Sequence, residues 1–299
     1  MVIAQERVES AGVSDVLDDL FEGACLVGGD LTLLRWNSAL EVLTGYHSAE
    51  VVGRRCPDSL LLGIDRAQAA LHGLTGQLAD ALSDGCNREF EAYLRHKDGH
   101  CLPARVRVAV VPAALGGTRA AVLILGRVAR RDLRPHPEQT EVQDTSPDLL
   151  TGLPDRWLVE KHLRASLSEM YRHGWSFGIV LLGVRGLCEL ARRHGQAAAD
   201  RALRAVATTL ANVTAPGDIA GRWGHDSFLS VCRDTTSREI EALAVDLRSL
   251  VAAVTWPPPR RGARLRAVAG ATMAVPGHTC ESLLRRVAES IADDARPGA

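Results

Sequence analysis

Asp218-Ile-Ala-Gly-Arg-Trp-Gly-His-Asp-Ser-Phe-Leu-Ser-Val-Cys232 reads as a strand, a tight turn and a second strand. Outward from this hairpin, helical and strand patterns interleave. Residues 157–172 are predicted helical, and Phe177-Gly-Ile-Val-Leu-Leu182 is a buried strand. Residues 187–193 and 197–213 are helical, with Leu203, Val206, Ala207 and Leu210 on one face. After the hairpin come a helix over 238–254, a strand over 264–273 and a closing helix over 281–293. Helices alternating with strands around one mid-domain hairpin describe a ferredoxin-like α/β sandwich.

The chain before residue 129 has a different rhythm. Gly23-Ala-Cys-Leu-Val-Gly-Gly-Asp30 and Leu31-Thr-Leu-Leu-Arg-Trp36 read as two short strands around a Gly-Gly-Asp turn. Asn37-Ser-Ala-Leu-Glu-Val-Leu-Thr-Gly45 is a short helix ended by glycine, and Ser48-Ala-Glu-Val-Val-Gly53 is one turn more. Strands follow at Arg88-Glu-Phe-Glu-Ala-Tyr-Leu-Arg95, at 102–111 and at Ala121-Val-Leu-Ile-Leu125, with turns at Lys97-Asp98-Gly99 and Gly116-Gly117. Arg105 and Arg107 alternate with Val106 and Val108, as on a half-buried strand. The expected order is strand, strand, short helices, three strands. The whole chain is therefore α+β, with an N-terminal domain over 14–128 and a C-terminal one over 148–299. Between them, 129–147 is charged and holds Pro135, Pro137 and Pro147. The first two forbid an uninterrupted helix, so this stretch is expected to be a flexible tether.

Composition excludes several classes. The 299 residues carry a net charge of −1, which argues against non-specific nucleic-acid binding. No apolar run approaches the roughly 18 residues that span a bilayer, and Met-Val-Ile-Ala-Gln-Glu-Arg-Val-Glu-Ser10 has no apolar signal-peptide core. A cytoplasmic location is expected, with the 7 cysteines reduced; they form no C-x-x-C pair. Only Lys97 and Lys161 are lysine, a coding bias toward arginine.

Two sets of residues resemble known families. Trp36-Asn37, Leu43-Thr-Gly-Tyr46, Val52-Gly-Arg54 and His96-Lys-Asp-Gly99 resemble a PAS sensor domain, which implies an antiparallel sheet with short helices. Asp148-Leu-Leu-Thr-Gly-Leu-Pro-Asp-Arg156 resembles the D-x-L-T-G-L-x-N-R opening of GGDEF (diguanylate cyclase) domains, with Asp155 for the asparagine. Arg222-Trp-Gly-His-Asp-Ser-Phe228 falls where R-x-G-G-D-E-F belongs. The resemblance implies a nucleotidyl cyclase fold and the condensation of two GTP into cyclic di-GMP, one GTP per monomer, at a dimer interface. Such chemistry needs carboxylates to hold magnesium on the triphosphate, because hard cations take oxygen ligands.

Position by position, the resemblance then fails at the implied site. The first metal aspartate is Gly183, and Arg185 stands where a second aspartate is usual. The guanine-reading asparagine is Ala191, while its partner is kept as Asp200. In the signature Arg222, Gly224, Asp226 and Phe228 are kept, but His225 replaces a glycine and Ser227 the glutamate. The basic residue implied in the last helix falls near Ala295, beside Arg296. The metal set Gly183, Asp226, Ser227 thus keeps one carboxylate. A guanidinium about 5 Å from a divalent ion costs roughly 6–7 kcal/mol at an effective dielectric near 20. Arg185 can swing away, or contact phosphate directly instead of a metal. The product-inhibition motif R-x-x-D is reduced to Asp218 in Ala215-Pro-Gly-Asp218, without the arginine that would grip phosphate.

Other readings are weaker. His225-Asp226 lies on a turn without further histidines, so it reads as a solvated hairpin rather than a metal site. Cys56 holds the place of a flavin-reactive cysteine, but Leu94 and Ala104 stand where polar flavin contacts belong. His72 and Gly76 replace a cysteine cluster, and a lone His72 reads as solvated rather than as a haem ligand. Asp200 either keeps a guanine contact or pairs with Arg201 or Arg204. The expectation is a PAS–GGDEF signalling protein of the cyclic di-GMP system with an inactive cyclase domain that acts as a regulatory or interaction module. It is expected to dimerise through its PAS domain, sense an unidentified ligand, meet other cyclic di-GMP signalling proteins and hold no metal. The alternative is a divergent active cyclase using magnesium and GTP, with Asp200 and Asp226 at the nucleotide.

Overall fold

The computed structural model describes residues 17, 20–56, 61–62, 74–115, 118–127, 147–254 and 265–294. The stretch proposed as a tether lies outside them, apart from Pro147. The chain divides into two compact units, one of residues 1–98 and 102–128 and one of residues 99–101 and 129–299.

In the first unit β1 (Gly23–Val27) pairs antiparallel with β2 (Leu33–Trp36). Helix α1 (Ser38–Thr44) starts at Asn37 and stops at Gly45, where φ is 73°. A Cβ on Gly45 would stand 2.6 Å from the His96 ring, so glycine serves both the left-handed cap and the close approach. Asn37 is buried and holds four hydrogen bonds. Its Oδ1 accepts from the N–H groups of Ala24 and Leu40, and its Nδ2 donates to the carbonyls of Leu17 and Glu22. One side chain thus caps the helix and fixes the chain entering β1. Helix α2 (Ser48–Val51), β3 (Leu61–Leu62), α3 (Leu74–Asp84), β4 (Arg88–Arg95), β5 (Cys101–Leu115) and β6 (Thr118–Arg127) complete the unit. The sheet order is β2-β1-β6-β5-β4-β3. Val106 and Val108 are buried, while Arg105 and Arg107 are exposed and face Glu89.

The expected element order needs correction here. It contained neither β3 nor the 11-residue α3. Gly73 and Gly76 interrupt the pattern, yet Leu78, Ala81 and Leu82 lie on one helical face and enter the same core as Leu40 and Leu94. Burial of that face outweighs the roughly 1 kcal/mol that an internal glycine costs a helix.

In the second unit α4 (Arg156–His173) is capped by Asp155, whose carboxylate accepts the Leu158 N–H. Then come β7 (Phe177–Arg185), α5 (Leu187–His194), α6 (Gln196–Val213), β8 (Ile219–Arg222), β9 (Ser227–Arg233), α7 (Ser237–Ala253), β10 (Arg266–Met273) and α8 (Cys280–Asp294). The antiparallel sheet runs β10-β7-β9-β8, the β-α-β-β-α-β arrangement expected of a ferredoxin-like sandwich. Val159 and Leu163 of α4 and Leu283 and Val287 of α8 pack on Ile179, Leu229 and Val231 of one face. Helix α7 covers β7 and β10 on the other. Helices cover both faces, while Arg185 and Arg266 at the strand ends and His225 on the turn are exposed.

Candidate functional site

β7 and β9 bring the expected positions together. Gly183 lies opposite Ser227, and the Val184 N–H donates to the Asp226 carbonyl at 2.8 Å. The turn closes as Trp223 and Gly224 both donate N–H groups to the Ser227 carbonyl, at 2.9 and 3.1 Å. What this backbone presents is a glycine, a hydroxyl and a single carboxylate. Arg185 answers that carboxylate: its Nη1 stands 4.0 Å from Asp226 Oδ2, with side chains 66% and 44% exposed. On the neighbouring strand Arg266 lies directly opposite Arg185, and Val268 opposite Gly183. A Cβ on Gly183 would sit 3.0 Å from Val268 Cγ2, so an aspartate there needs Val268 to give way.

These residues do not fit a divalent metal. A hard cation wants several anionic or carbonyl oxygens, and the one acid of the set faces a guanidinium. Among the described residues no group of three or more His, Cys, Asp or Glu is placed to hold a metal ion.

Arg222 holds the hairpin in place. Its backbone N–H donates to the Pro154 carbonyl at 2.8 Å. Its side chain donates to the carbonyls of Gly224 and His225, at 3.1 and 3.0 Å, and to Asp148 at 3.0 Å. Asp148 also accepts from the Thr151 N–H and hydroxyl. Burial opposes ionisation of Asp148, but the bonds from Thr151 and Arg222 outweigh it and hold its pKa below the usual aspartate value. Gly221 makes the approach possible, since a Cβ there would lie 2.4 Å from the Pro154 carbonyl oxygen. Arg156 lies over the Trp223 ring, 4.5 Å from its centroid. The opening motif and the signature hairpin are therefore one assembly. Sequence reading placed both stretches but missed the clamp, whose one local signal is the Asp148–Thr151 spacing of a side-chain-capped turn.

The remaining expected residues are accounted for individually. Asp200 accepts from Gln196 Nε2 at 2.8 Å, one turn earlier on α6. Arg204, one of the two arginines offered as its partner, reaches the Leu150 carbonyl at 3.1 Å. Ala191 lies on α5 and offers no side-chain donor. Asp218 accepts the Arg233 N–H at 2.9 Å and so ties the start of β8 to the end of β9. His225 is exposed on the turn. Cys56 is buried in the apolar core with Leu94 and Ala104. Burial first, and Cys56 second, push the Cys25 thiol far above its ordinary range, where it is inert. His72, Ala295 and Arg296 lie outside the described residues, whereas Gly76 falls within α3.

Residues 145–296 match the family described as diguanylate cyclase, GGDEF domain, and residues 22–127 match a PAS domain family. An uncharacterized protein of Synechocystis is 31% identical over 110 residues, 37% of this chain. The chain spans 16% of the length of that curated relative. Among solved structures, the GGDEF domain of DgcB from Caulobacter crescentus in complex with c-di-GMP is 20% identical at a TM-score of 0.48, over 52% of this chain and 93% of that one. Diguanylate cyclase SiaD from Pseudomonas aeruginosa, in complex with its activator SiaC, is 25% identical at 0.46, over 49% and 56%. The PAS domain of an HTR-like protein from Haloarcula marismortui is 19% identical at 0.33, over 43% and 100%. No helix among the described residues is long and apolar enough to cross a membrane.

Proposed function

The chain belongs to the GGDEF, or diguanylate cyclase, family with a PAS domain ahead of that unit, and from this premise we propose that its GGDEF domain has lost cyclase activity and serves as a regulatory, protein-interacting module of cyclic di-GMP signalling. The observation that carries the reading is that the metal set keeps one carboxylate, Asp226, with the Arg185 guanidinium 4.0 Å from it. Gly183 and Ser227 supply no charge beside it. Such a set lacks the Lewis acid that withdraws charge from a leaving pyrophosphate and lowers the pKa of an attacking hydroxyl. Ala191 leaves guanine unread as well.

The Arg222–Asp148 clamp supports a folded rather than a decaying domain. The hairpin keeps its scaffold although its chemistry is gone, as a binding surface requires. In this reading residues 14–128 form a PAS domain that pairs two copies of the chain in the cytoplasm, 129–147 tether it, and 148–299 present the interaction surface. Asp218, already committed to the Arg233 N–H, no longer serves tight capture of cyclic di-GMP.

The test is formation of cyclic di-GMP from GTP by the full chain with magnesium or manganese. No product above an Asp226→Ala control is expected. Turnover clearly above that control establishes the divergent, active cyclase instead.

A further inference from the structure

Independently of the lost metal site, we infer that the turn of residues 96–99 is a proton-operated latch of the first unit: a neutral His96 ring holds the turn against the corner between α1 and α2, and protonation of that ring releases it. The ligand this turn reads is the proton.

The closed form rests on one lone pair. His96 directly follows β4 and opens the turn, which Gly99 closes at φ 92°. Its Nδ1 accepts the Asp98 N–H at 3.1 Å. An N–H aimed at Nδ1 needs the lone pair there, so the ring is neutral and carries its proton on Nε2. The same Nδ1 lies 3.5 Å from Asp98 Oδ2, on the side chain of the residue whose N–H it accepts. Protonation therefore changes the partner. A protonated Nδ1 has no lone pair for the backbone N–H and donates to the carboxylate instead. The Asp98 N–H loses its acceptor in the exchange.

The corner carries that exchange beyond the turn. The ring, its side chain 17% exposed, packs on Gly45, where a Cβ would stand 2.6 Å from both Cε1 and Nε2. Beside it the Lys97 N–H donates to the Thr44 carbonyl at 2.8 Å, and Lys97 Nζ meets both Glu50 oxygens at 2.6 and 2.8 Å. A ring fitted this closely to backbone cannot re-aim Nδ1 without pushing on Gly45, and the Thr44–Lys97 bond next to it yields. The ionisable groups on the two elements are Glu41, Tyr46, His47, Glu50, Lys97 and Asp98. Glu41 is committed to His47 and to the Ser48 N–H, and Glu50 to Lys97, whose ammonium lies 5.9 Å above the Tyr46 ring. Burial is the larger influence on the imidazole and holds its pKa below the ordinary 6.5, although Asp98 beside it favours the proton. The latch is thus closed at neutral pH and opens on acidification below about 6.5.

Nitrogen NMR of the full chain, labelled on its histidine rings and titrated between about pH 5 and 8, tests this together with amide exchange. The His96 signals are those lost in His96→Asn. At neutral pH, Nδ1 is expected to show the shift of an unprotonated nitrogen and Nε2 that of an N–H. The midpoint is expected below about 6.5. Exchange at the Lys97 and Asp98 amides, corrected for its intrinsic pH dependence, is expected to rise about fivefold across that midpoint, the worth of one hydrogen bond. Asp98→Asn removes the carboxylate that favours the proton and is expected to move the midpoint lower still. The Asp98 side chain is 81% exposed, so this variant keeps the fold. His96→Asn puts an amide oxygen where Nδ1 stood, an acceptor for the Asp98 N–H that does not titrate. Its exchange is expected to stay level with pH. A protonated Nδ1 at neutral pH, a midpoint at or above about 6.5, exchange that ignores the midpoint, or the same rise in His96→Asn each overturns the inference. Cyclic di-GMP formation overturns the preceding reading and leaves this one standing.

Discussion

Asp148 and Arg222, 74 residues apart in the chain, meet through Nη1 at 3.0 and 3.2 Å from the two carboxylate oxygens. Both side chains are mostly buried, Asp148 22% and Arg222 17% exposed, and the same guanidinium also holds the carbonyls of Gly224 and His225. Arg222→Ala is expected to destabilise the second unit by about 2–3 kcal/mol, because it strips three acceptors and leaves Asp148 without its cation. Arg222→Lys is expected to rescue little, since a point charge lacks the fork that reaches all three. Urea unfolding measures the loss, and amide exchange in the 223–226 turn should rise in both variants. Unchanged exchange there would refute the clamp.

Acid should expose the same contact. Asp148 has a folded pKa below its unfolded value of about 3.9. It therefore contributes stability above that pH and loses the contribution as pH falls through the lower folded value. His162 acts nearer neutrality. Burial, with Arg233 and Lys161 nearby, lowers its folded pKa, so the unfolded chain takes up the proton first and stability declines as pH drops below about 6.5. Melting temperature is expected to fall in two stages on acidification. His162→Gln should flatten the upper stage and Asp148→Asn the lower, and a wild-type profile in either variant removes that residue from the account.

In the first unit, Asn37→Ala orphans the N–H groups of Ala24 and Leu40 and the carbonyls of Leu17 and Glu22. A loss of about 3 kcal/mol or more is expected from so many buried polar groups left unmade. Asn37→Asp keeps an acceptor but has no N–H to donate, so it should fall between the two. Calorimetry of the full chain is expected to show the PAS transition moved down and the GGDEF transition unmoved. A single transition that shifts as a whole would contradict independent folding of the two units.

Much of this was legible because it is local. Asn37 and Gly45 announce the ends of α1, and the strand–turn–strand around Gly224 announces the hairpin, since caps and turns depend on residues a few positions apart. Strand period two puts Gly183 and Arg185 on one face. What the sequence hid depends on register and on distant partners. Nothing near Arg185 indicates that Arg266 is its cross-strand neighbour, or that Asp226 stands 4.0 Å away. Nothing near Asp148 points to Arg222. Helix α3 was hidden differently: Gly76 within it and Gly73 just before it weaken the local signal, and its burial against Leu40 and Leu94 supplies what propensity lacks.

The loss of the metal site can be tested by undoing it. Gly183→Asp, Arg185→Asp, His225→Gly and Ser227→Glu together return carboxylates to the set, remove the cation facing Asp226 and restore the small turn residue. Magnesium–GTP binding is expected to improve about tenfold or more, as oxygen ligands replace a guanidinium around a hard cation. The obstacle is steric. The new Cβ at position 183 meets Val268 Cγ2 at 3.0 Å, so Val268 must rotate or shift by a few tenths of an ångström. Adding Val268→Ala should therefore strengthen magnesium binding further. Turnover is not expected to follow, because Ala191 still leaves guanine unread. Magnesium titrations by calorimetry, with and without GTP, decide the matter. A restored variant that binds magnesium–GTP no better than the wild-type chain would show that the missing carboxylates are not what closed this site to the metal.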